Sequence, residues 1–376
     1  MRKRVICCLL AALLWAGPFA ADAAQVDAMP AVSAQSAIVL DGATGRVLYK
    51  KNADAVLPMA STTKIMTAIV AIEGFDLDHT YTVKRAYTLA KGSSMYLQEG
   101  QRLTLRDTLY GLLLASGNDA ALAIAGECGG AERFVAAMND KALALGLGNT
   151  HFDNPSGLDG PNHHTTAREL AALAAYAMQN PTFRQIVGTQ TYTTAAGHSL
   201  RNHNRLLWQY DGAIGVKTGY TMQSGRCLVS AAERHGRRLI AVTLNDRNDW
   251  ADHAALLDAG FAQFSAYTLH EAGDPLGAVA CEGGTQAALP LLAQSACTAW
   301  LTADEYAALT PVLIGRPFIY APAGQNDAYG AVEYRVSGVT LARDTLVFGA
   351  DSQMLPERKG FLQTILEKLR ALFAGR

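Results

Sequence analysis

Strand-forming sequence occurs at two places far apart in the chain, and this constrains the fold more than any other feature. Ser36 to Tyr49 reads SAIVLDGATGRVLY, two β-rich runs around Gly42-Ala43-Thr44-Gly45, which is a hairpin signal. Gly212 to Tyr220, Cys227 to Glu233 and Arg237 to Leu244 read as three further strands, the last two joined by a turn at His235-Gly236. The sequence between them is helical. Ser61 to Glu73 carries Ile65, Met66, Ile69, Val70 and Ile72 on one face. Thr104 to Ala115, Asp119 to Gly126, Ala131 to Leu145 and Thr166 to Gln179 follow as helices, and Thr104-x-x-Asp107 resembles a capping box. Strands, then helices, then strands suggest one sheet in which the first hairpin pairs with the last strands and the helices pack on it. The expected fold is an α/β (α+β) domain with an antiparallel sheet and a helical subdomain.

The two ends read differently. Arg2, Lys3 and Arg4 precede an apolar run from Val5 to Ala20 and a small-x-small site at Ala21-Asp22-Ala23, so residues 1–24 are expected to be a secretory signal peptide. The run is short for a spanning anchor. From about Tyr267 to Asp351, short apolar runs broken by Gly, Pro and Asp suggest a small all-β domain. In the last stretch Phe361, Leu362, Ile365, Leu366, Leu369, Leu372 and Phe373 form one helical stripe. Gln363, Glu367, Lys368 and Arg370 lie opposite, and from residue 356 onward five cationic side chains outnumber two acidic ones. Such a helix lies in a membrane interface rather than crossing it. The expected organisation is 1–24 signal peptide, 25–264 catalytic domain, 265–351 β domain and 352–376 amphipathic helix, with the protein exported to the outer face of the cytoplasmic membrane or the cell wall space.

Composition excludes several classes. The 376 residues carry a formal net charge of −1, which removes the main electrostatic argument for nucleic-acid binding. Half of the residues are hydrophobic, too many for a disordered chain. Beyond the leader, Cys128, Cys227, Cys281 and Cys297 are too sparse for a disulfide scaffold and lack zinc-like spacing. Cys281 and Cys297 could pair, and free buried thiols suit the pattern equally.

Three short motifs carry chemistry. Ser61-Thr62-Thr63-Lys64 is S-x-x-K at the opening of a helix. Ser116-Gly117-Asn118 is S-x-N in a loop between two helices. Lys217-Thr218-Gly219 is K-T-G at the end of a strand expected beside the hairpin. A serine hydroxyl needs a base before it can attack. Positions i and i+3 share a helix face, so Lys64 can reach Ser61. A lysine acts as base only with a lowered pKa, and burial or a second cation such as Lys217 lowers it. Ser116 can relay a proton to a leaving amine, and Asn118 can hold Lys64 or a substrate amide. The backbone N–H groups of Ser61 and Tyr220 are the candidate oxyanion donors. Together these motifs are the signature of β-lactamases and penicillin-binding proteins.

On these residues the chain resembles the low-molecular-weight penicillin-binding proteins that act as D-alanyl-D-alanine carboxypeptidases. The resemblance rests on Met59 to Thr67, Leu114 to Ala120, Asn154-Pro155-Ser156-Gly157-Leu158-Asp159 and Gly215 to Thr221, and covers nearly the whole mature chain. It implies removal of the terminal D-alanine from peptidoglycan pentapeptide stems through an acyl-serine, with β-lactams as inhibitors. Catalytic roles then fall to Ser61, Lys64, Ser116 and Asn118, and substrate binding to Lys217, Thr218, Gly219 and Tyr220, with no cofactor or metal. Some members add an arginine for the terminal carboxylate; Arg247 is the nearest cation, and its role stays open. Three alternatives compete. A class A β-lactamase needs a deacylating glutamate, and Glu169 reads as a surface residue. A D,D-endopeptidase shares the serine chemistry. A sensor or wall-binding module would acylate with little turnover. A zinc peptidase fits poorly, because His163-His164 and His198/His203 read as polar loop residues and no H-E-x-x-H occurs.

Overall fold

The computed structural model describes residues 30–356, together with Ile365, Leu366 and Arg370. The expected signal peptide and most of the C-terminal stripe lie outside the described residues. Ile365, Leu366 and Arg370 are helical and exposed. Among the described residues no helix is long and apolar enough to cross a membrane.

The two distant strand regions meet in one antiparallel sheet. Its order is Val47–Lys51, Ser36–Asp41, Arg237–Leu244, Gly225–Arg234, Ala213–Thr221. Ile38 faces Val242 and Leu40 faces Ile240 across the central pair. Strand side chains alternate between faces. Ile38, Leu40, Ile240 and Val242 therefore join the core beneath the helices Lys64–Gly74 and Ala167–Ala177. Ala37, Val39, Leu239 and Ala241 join a second core against the helix Asp249–Ala262. Burial on both faces explains why these strands read as nearly continuous apolar runs.

The K-T-G strand Ala213–Thr221 occupies the far edge of this sheet, not a place beside the hairpin as expected. Two strands intervene because Gly225–Arg234 and Arg237–Leu244 fold back successively toward the hairpin. The edge position leaves one side of the K-T-G strand open to the turn that carries Ser61.

The helices match the periodicity closely. Thr104 caps Leu105–Leu114 by accepting from the Asp107 N–H at 3.0 Å, and Thr166 caps Ala167–Ala177 by accepting from the Glu169 N–H at 3.1 Å. Besides three short helices of four or five residues, two longer ones among the described residues were not anticipated. Pro181–Gly188 is short but strongly marked by Asn180, which accepts from the N–H groups of Thr182 and Phe183. Asp249–Ala262 is Ala-rich, and of its large apolar residues only Leu256 and Leu257 are fully buried, so its stripe is faint in sequence.

Beyond Ala262 the chain is β-rich. Six strands form a sheet in the order Thr310–Ile314, Ala328–Val336, Val339–Phe348, Ala288–Ala293, Pro275–Glu282, Phe318–Tyr320. It has its own core around Leu289, Leu291, Val332 and Leu346. Arg237 secures the junction: it pairs with Asp41 at 3.0 Å and lies over the rings of Phe264 and Trp300. Cys128, Cys227, Cys281 and Cys297 are four separate buried thiols, so the possible Cys281–Cys297 pairing does not form.

Candidate active site

Ser61 sits in a 3-10 turn, Ala60–Thr63, that runs straight into the helix Lys64–Gly74. In a 3-10 turn residues i and i+3 are eclipsed. This places Lys64 directly against Ser61, closer in register than an α-helix would. The Lys64 ammonium nitrogen donates to Ser61 Oγ at 2.8 Å and to Asn118 Oδ1 at 2.7 Å, and also reaches the Ser156 carbonyl.

Lys64 is fully buried, at 0% exposure. Burial penalises its charged form, and the nearby Lys217 charge adds to this; Asp119 opposes both. The net effect holds the Lys64 pKa well below the ordinary lysine value. Lys217 is also buried, which brings its pKa down to about 7. It donates to Ser116 Oγ at 3.0 Å and to the Thr218 carbonyl at 2.9 Å. The three motifs thus converge on two neighbouring lysines, each bonded to a serine hydroxyl.

The second motif also shapes the site wall. Ser116 holds a left-handed backbone, φ 58°, and Asn118 begins the helix Asn118–Glu127. Asn118 Nδ2 donates to the Lys91 carbonyl at 2.6 Å. Asp119 accepts from Ser94 Oγ and from the N–H groups of Met95 and Leu97, clamping the 94–97 loop against the motif.

The loop at Asn154–Asp159 closes the opposite side. Asn154 Oδ1 accepts from Ser156 Oγ and from the Gly157 N–H, which turns the Ser156 carbonyl onto Lys64. Asp159 accepts from Thr221 Oγ1 at 2.7 Å, tying the loop to the K-T-G strand. His163 is buried beneath the nucleophile turn. It accepts at Nδ1 from the Asp153 N–H, so Nε2 faces the Thr63 hydroxyl at 2.7 Å, and burial pushes its pKa down to about 4.

Gly157 and Gly219 press on the nucleophile turn. Gly157 has φ +84°, and a Cβ there would collide with the Ala60 carbonyl and sit 2.9 Å from Ser61 N. A Cβ on Gly219 would sit 3.0 Å from Ser61 N. The K-T-G strand therefore runs beside the Ser61 backbone, with Tyr220 next in line. Gly157→Ala should shift Ser61, cut the acylation rate by about 10²-fold and cost about 2 kcal/mol of stability. Gly45→Ala, at φ +72° in open space far from the site, should cost stability without that kinetic loss. Acylation kinetics and thermal midpoints of the two variants check this; equal acylation rates would refute it.

Ser61, Ser116, Thr218, Gly219 and Tyr220 line one cleft of about 1060 Å³. Lys64, Asn118 and Lys217 lie behind its wall, each buried. Arg247 is exposed and lies outside the residues lining the cleft. The Ser156 carbonyl, the Asp119 clamp and a cationic wall around Arg201, Arg205 and Arg226 were not foreseen. The wall comes from two separate stretches, 201–205 and the strand that carries Arg226, and nothing in their spacing announces it. Glu169 faces away from the cleft, accepting from Asn149 and Thr150, so it cannot serve as a deacylating base.

This geometry has counterparts among known proteins. Residues 22–248 match the D-alanyl-D-alanine carboxypeptidase family of S11 peptidases. The D-alanyl-D-alanine carboxypeptidase of Streptomyces sp. strain K15 is 38% identical over 276 residues, covering 67% of this chain and 95% of that protein. The Escherichia coli K12 D-alanyl-D-alanine carboxypeptidase DacC is 30% identical over 347 residues, 88% of this chain and 87% of its own length. Among solved structures, penicillin binding protein 5 of Haemophilus influenzae superposes with a TM-score of 0.71 at 26% identity, covering 86% of this chain and 98% of that one. A variant of the Streptomyces K15 DD-transpeptidase gives a TM-score of 0.59 at 37% identity, over 62% of this chain and 99% of that one. The chain belongs to the family of serine-type D-alanyl-D-alanine carboxypeptidases, hydrolases with the penicillin-binding-protein fold.

Proposed function

We propose that this protein removes the terminal D-alanine from peptidoglycan pentapeptide stems through an acyl intermediate on Ser61, and that β-lactams acylate the same oxygen. The observation that carries this reading is the buried Lys64 nitrogen 2.8 Å from Ser61 Oγ. Neutral Lys64 takes the Ser61 proton as Oγ attacks the penultimate D-alanine carbonyl. The Ser61 and Tyr220 N–H groups receive the developing oxyanion. As the C–N bond breaks, the leaving amine takes a proton through Ser116. Lys217 resupplies it, and a pKa of about 7 suits a group that exchanges protons at neutral pH. Once the amine has left, Lys64 gives the proton it took to bulk water and Lys217 regains one from it; neutral Lys64 then takes a proton from the water that attacks the acyl-serine and returns it to Ser61 Oγ as the acyl bond breaks. Asn118 holds Lys64 in place, and Lys217, Thr218 and Gly219 flank the terminal residue.

We assign residues 25–264 to catalysis, 265–351 to a β domain and 352–376 to a membrane-associating helix, with residues 1–24 directing export to the outer face of the cytoplasmic membrane. The apolar stripe from Phe361 to Phe373 supports the membrane assignment. Truncation at Pro356 should release the protein from anionic liposomes, and unchanged sedimentation would refute the assignment.

Mass spectrometry of pentapeptide wall fragments incubated with the protein tests the reaction. Loss of one alanine is the expected result. An unaltered pentapeptide together with a cleaved cross-linked dimer would make the protein an endopeptidase. An inert protein that still takes up penicillin would be a sensor.

A further inference from the structure

Ala60, the residue before the nucleophile, holds a left-handed backbone at φ +47°. That conformation is sparsely populated for a residue with a Cβ, and it persists only where the surroundings over-determine it. The Ala60 carbonyl belongs to the same peptide group as the Ser61 N–H. Thr63 Oγ1 donates to that carbonyl at 2.8 Å, and His163 Nε2 lies 2.7 Å from the same hydroxyl. The proton count fixes every role. Desolvation keeps the buried imidazole neutral, so it carries one N–H. Nδ1 accepts from the Asp153 N–H at 3.0 Å, which leaves the proton on Nε2. Thr63 has one hydroxyl proton and gives it to the Ala60 carbonyl, so its oxygen accepts from His163. The hydrogen bonds run in one direction, from His163 to Thr63 to the peptide that precedes Ser61.

The far end of this chain of bonds is rigid. His163 and Thr63 are both buried, and the imidazole packs edge-on against Phe152 with 5.9 Å between ring centres. His164 exchanges backbone hydrogen bonds with His151 at 2.9 and 3.1 Å, and Thr165 exchanges them with Leu57 at 2.8 and 3.0 Å. The segment is thus tied on one side to the loop before Asn154 and on the other to the chain entering the nucleophile turn. Neither His163 nor Thr63 lines the cleft, so neither meets a substrate. A hydrogen bond to an amide carbonyl has two effects at the other end of the amide. It fixes the peptide plane, and so the direction of the N–H, and it polarises the group, which makes that N–H a stronger donor.

We propose that His163 and Thr63 are positioning residues for the oxyanion: together they hold the Ala60–Ser61 peptide so that the Ser61 N–H points at the charge that develops on the attacked carbonyl oxygen. This rests on the acyl-serine mechanism proposed above, in which that N–H is one of two oxyanion donors. Preorganised donors are effective because they need no reorientation as the charge forms. Without the two residues the strained Ala60 peptide loses a restraint, and the donor loses its aim. The base is held separately, since Lys64 bonds to Asn118 Oδ1 and to the Ser156 carbonyl. Loss of His163 or Thr63 therefore weakens oxyanion stabilisation while proton removal from Ser61 continues.

The test compares acylation of Ser61 by a cephalosporin and by its analogue in which the β-lactam C=O is C=S. Sulfur is larger than oxygen and a weaker hydrogen-bond acceptor, so a site shaped for an oxyanion disfavours it. Wild type should prefer the oxygen compound by about 10²-fold, the worth of one oxyanion donor. In His163→Leu and Thr63→Val the oxygen compound should slow about 20-fold and the sulfur compound about twofold, so the preference falls about tenfold. Thr63→Ser keeps the hydroxyl and His163→Gln keeps an N–H donor, and both should retain most of the preference. Equal losses on the two compounds would overturn the proposal and leave His163 and Thr63 as structural supports only. A wild type indifferent to the exchange of oxygen for sulfur would overturn it by removing the oxyanion role of the Ser61 N–H. An unaltered pentapeptide in a protein that still acylates would count against the carboxypeptidase reaction alone, and the comparison would still decide the positioning role. Should the variants fail to fold, nitrogen-15 shifts of the wild-type imidazoles decide. A proton on Nε2 of His163 is expected, and one on Nδ1 would break the chain of hydrogen bonds and overturn the proposal.

Discussion

Ser61→Ala should abolish D-alanine release, by at least about 10⁴-fold, while leaving the fold intact. The oxygen removed is the one that lies 2.8 Å from the buried Lys64 nitrogen. Lys64 Nζ would lose one of three partners and keep Asn118 Oδ1 and the Ser156 carbonyl, so its environment is preserved. Ser61 is only partly buried, and trimming its hydroxyl opens no core cavity. Two readouts settle the matter together. Intact-mass spectrometry after benzylpenicillin should show an adduct on wild type and none on the variant. The pentapeptide assay should show no loss of alanine. A variant that still releases D-alanine would remove Ser61 from the mechanism.

Replacing Lys64 with Gln should slow acylation by about 10³-fold, within the range a general base contributes. The pH profile gives the sharper test. Lys64 must be neutral to accept the Ser61 proton, so the rate rises as pH climbs through its pKa. Burial and Lys217 hold that pKa well below the ordinary lysine value, so the rising limb should lie far below pH 10. Lys217→Gln removes the second cation. The Lys64 pKa should then rise, and the rising limb of β-lactam acylation should move to higher pH. A limb that stays in place would mean that Lys217 does not tune Lys64. Burial also bears on stability. Both lysines have folded-state pKa values below their unfolded ones, so folding favours their neutral forms. Their contribution to stability is present above the unfolded lysine pKa and is lost as pH falls through it and on through the folded values. The site therefore holds its base ready at some cost to the fold at neutral pH.

Much of this was legible without coordinates because it depends on local spacing. Ser61 and Lys64 are three residues apart, Ser116 and Asn118 two, and each sits where its element begins or ends. The helices showed themselves through apolar periodicity and caps such as Thr104 and Thr166. The helix Asp249–Ala262 escaped notice because an Ala-rich stripe carries little periodic contrast. The K-T-G strand was placed beside the hairpin because sequence order says which strands are adjacent in the chain, not which share hydrogen bonds. Sheet order is settled by long-range pairing.

The sequence by itself determined the chemical groups: a serine, a lysine three residues on, a second lysine on a strand, and a serine between helices. Side-chain chemistry and helical spacing are properties of a few consecutive residues, and those need no fold. The tertiary structure alone decided the electrostatics. Lys64 and Lys217 are far apart in the chain, and only packing buries both and brings their charges within reach of each other. The Ser156 carbonyl on Lys64, the pressure of Gly157 and Gly219 on the Ser61 turn, and the cationic wall around Arg201, Arg205 and Arg226 likewise arise from segments that meet only on folding. A pKa, a cleft and a charge imbalance are properties of an enclosed volume, and a linear chain has none until its distant parts close around one.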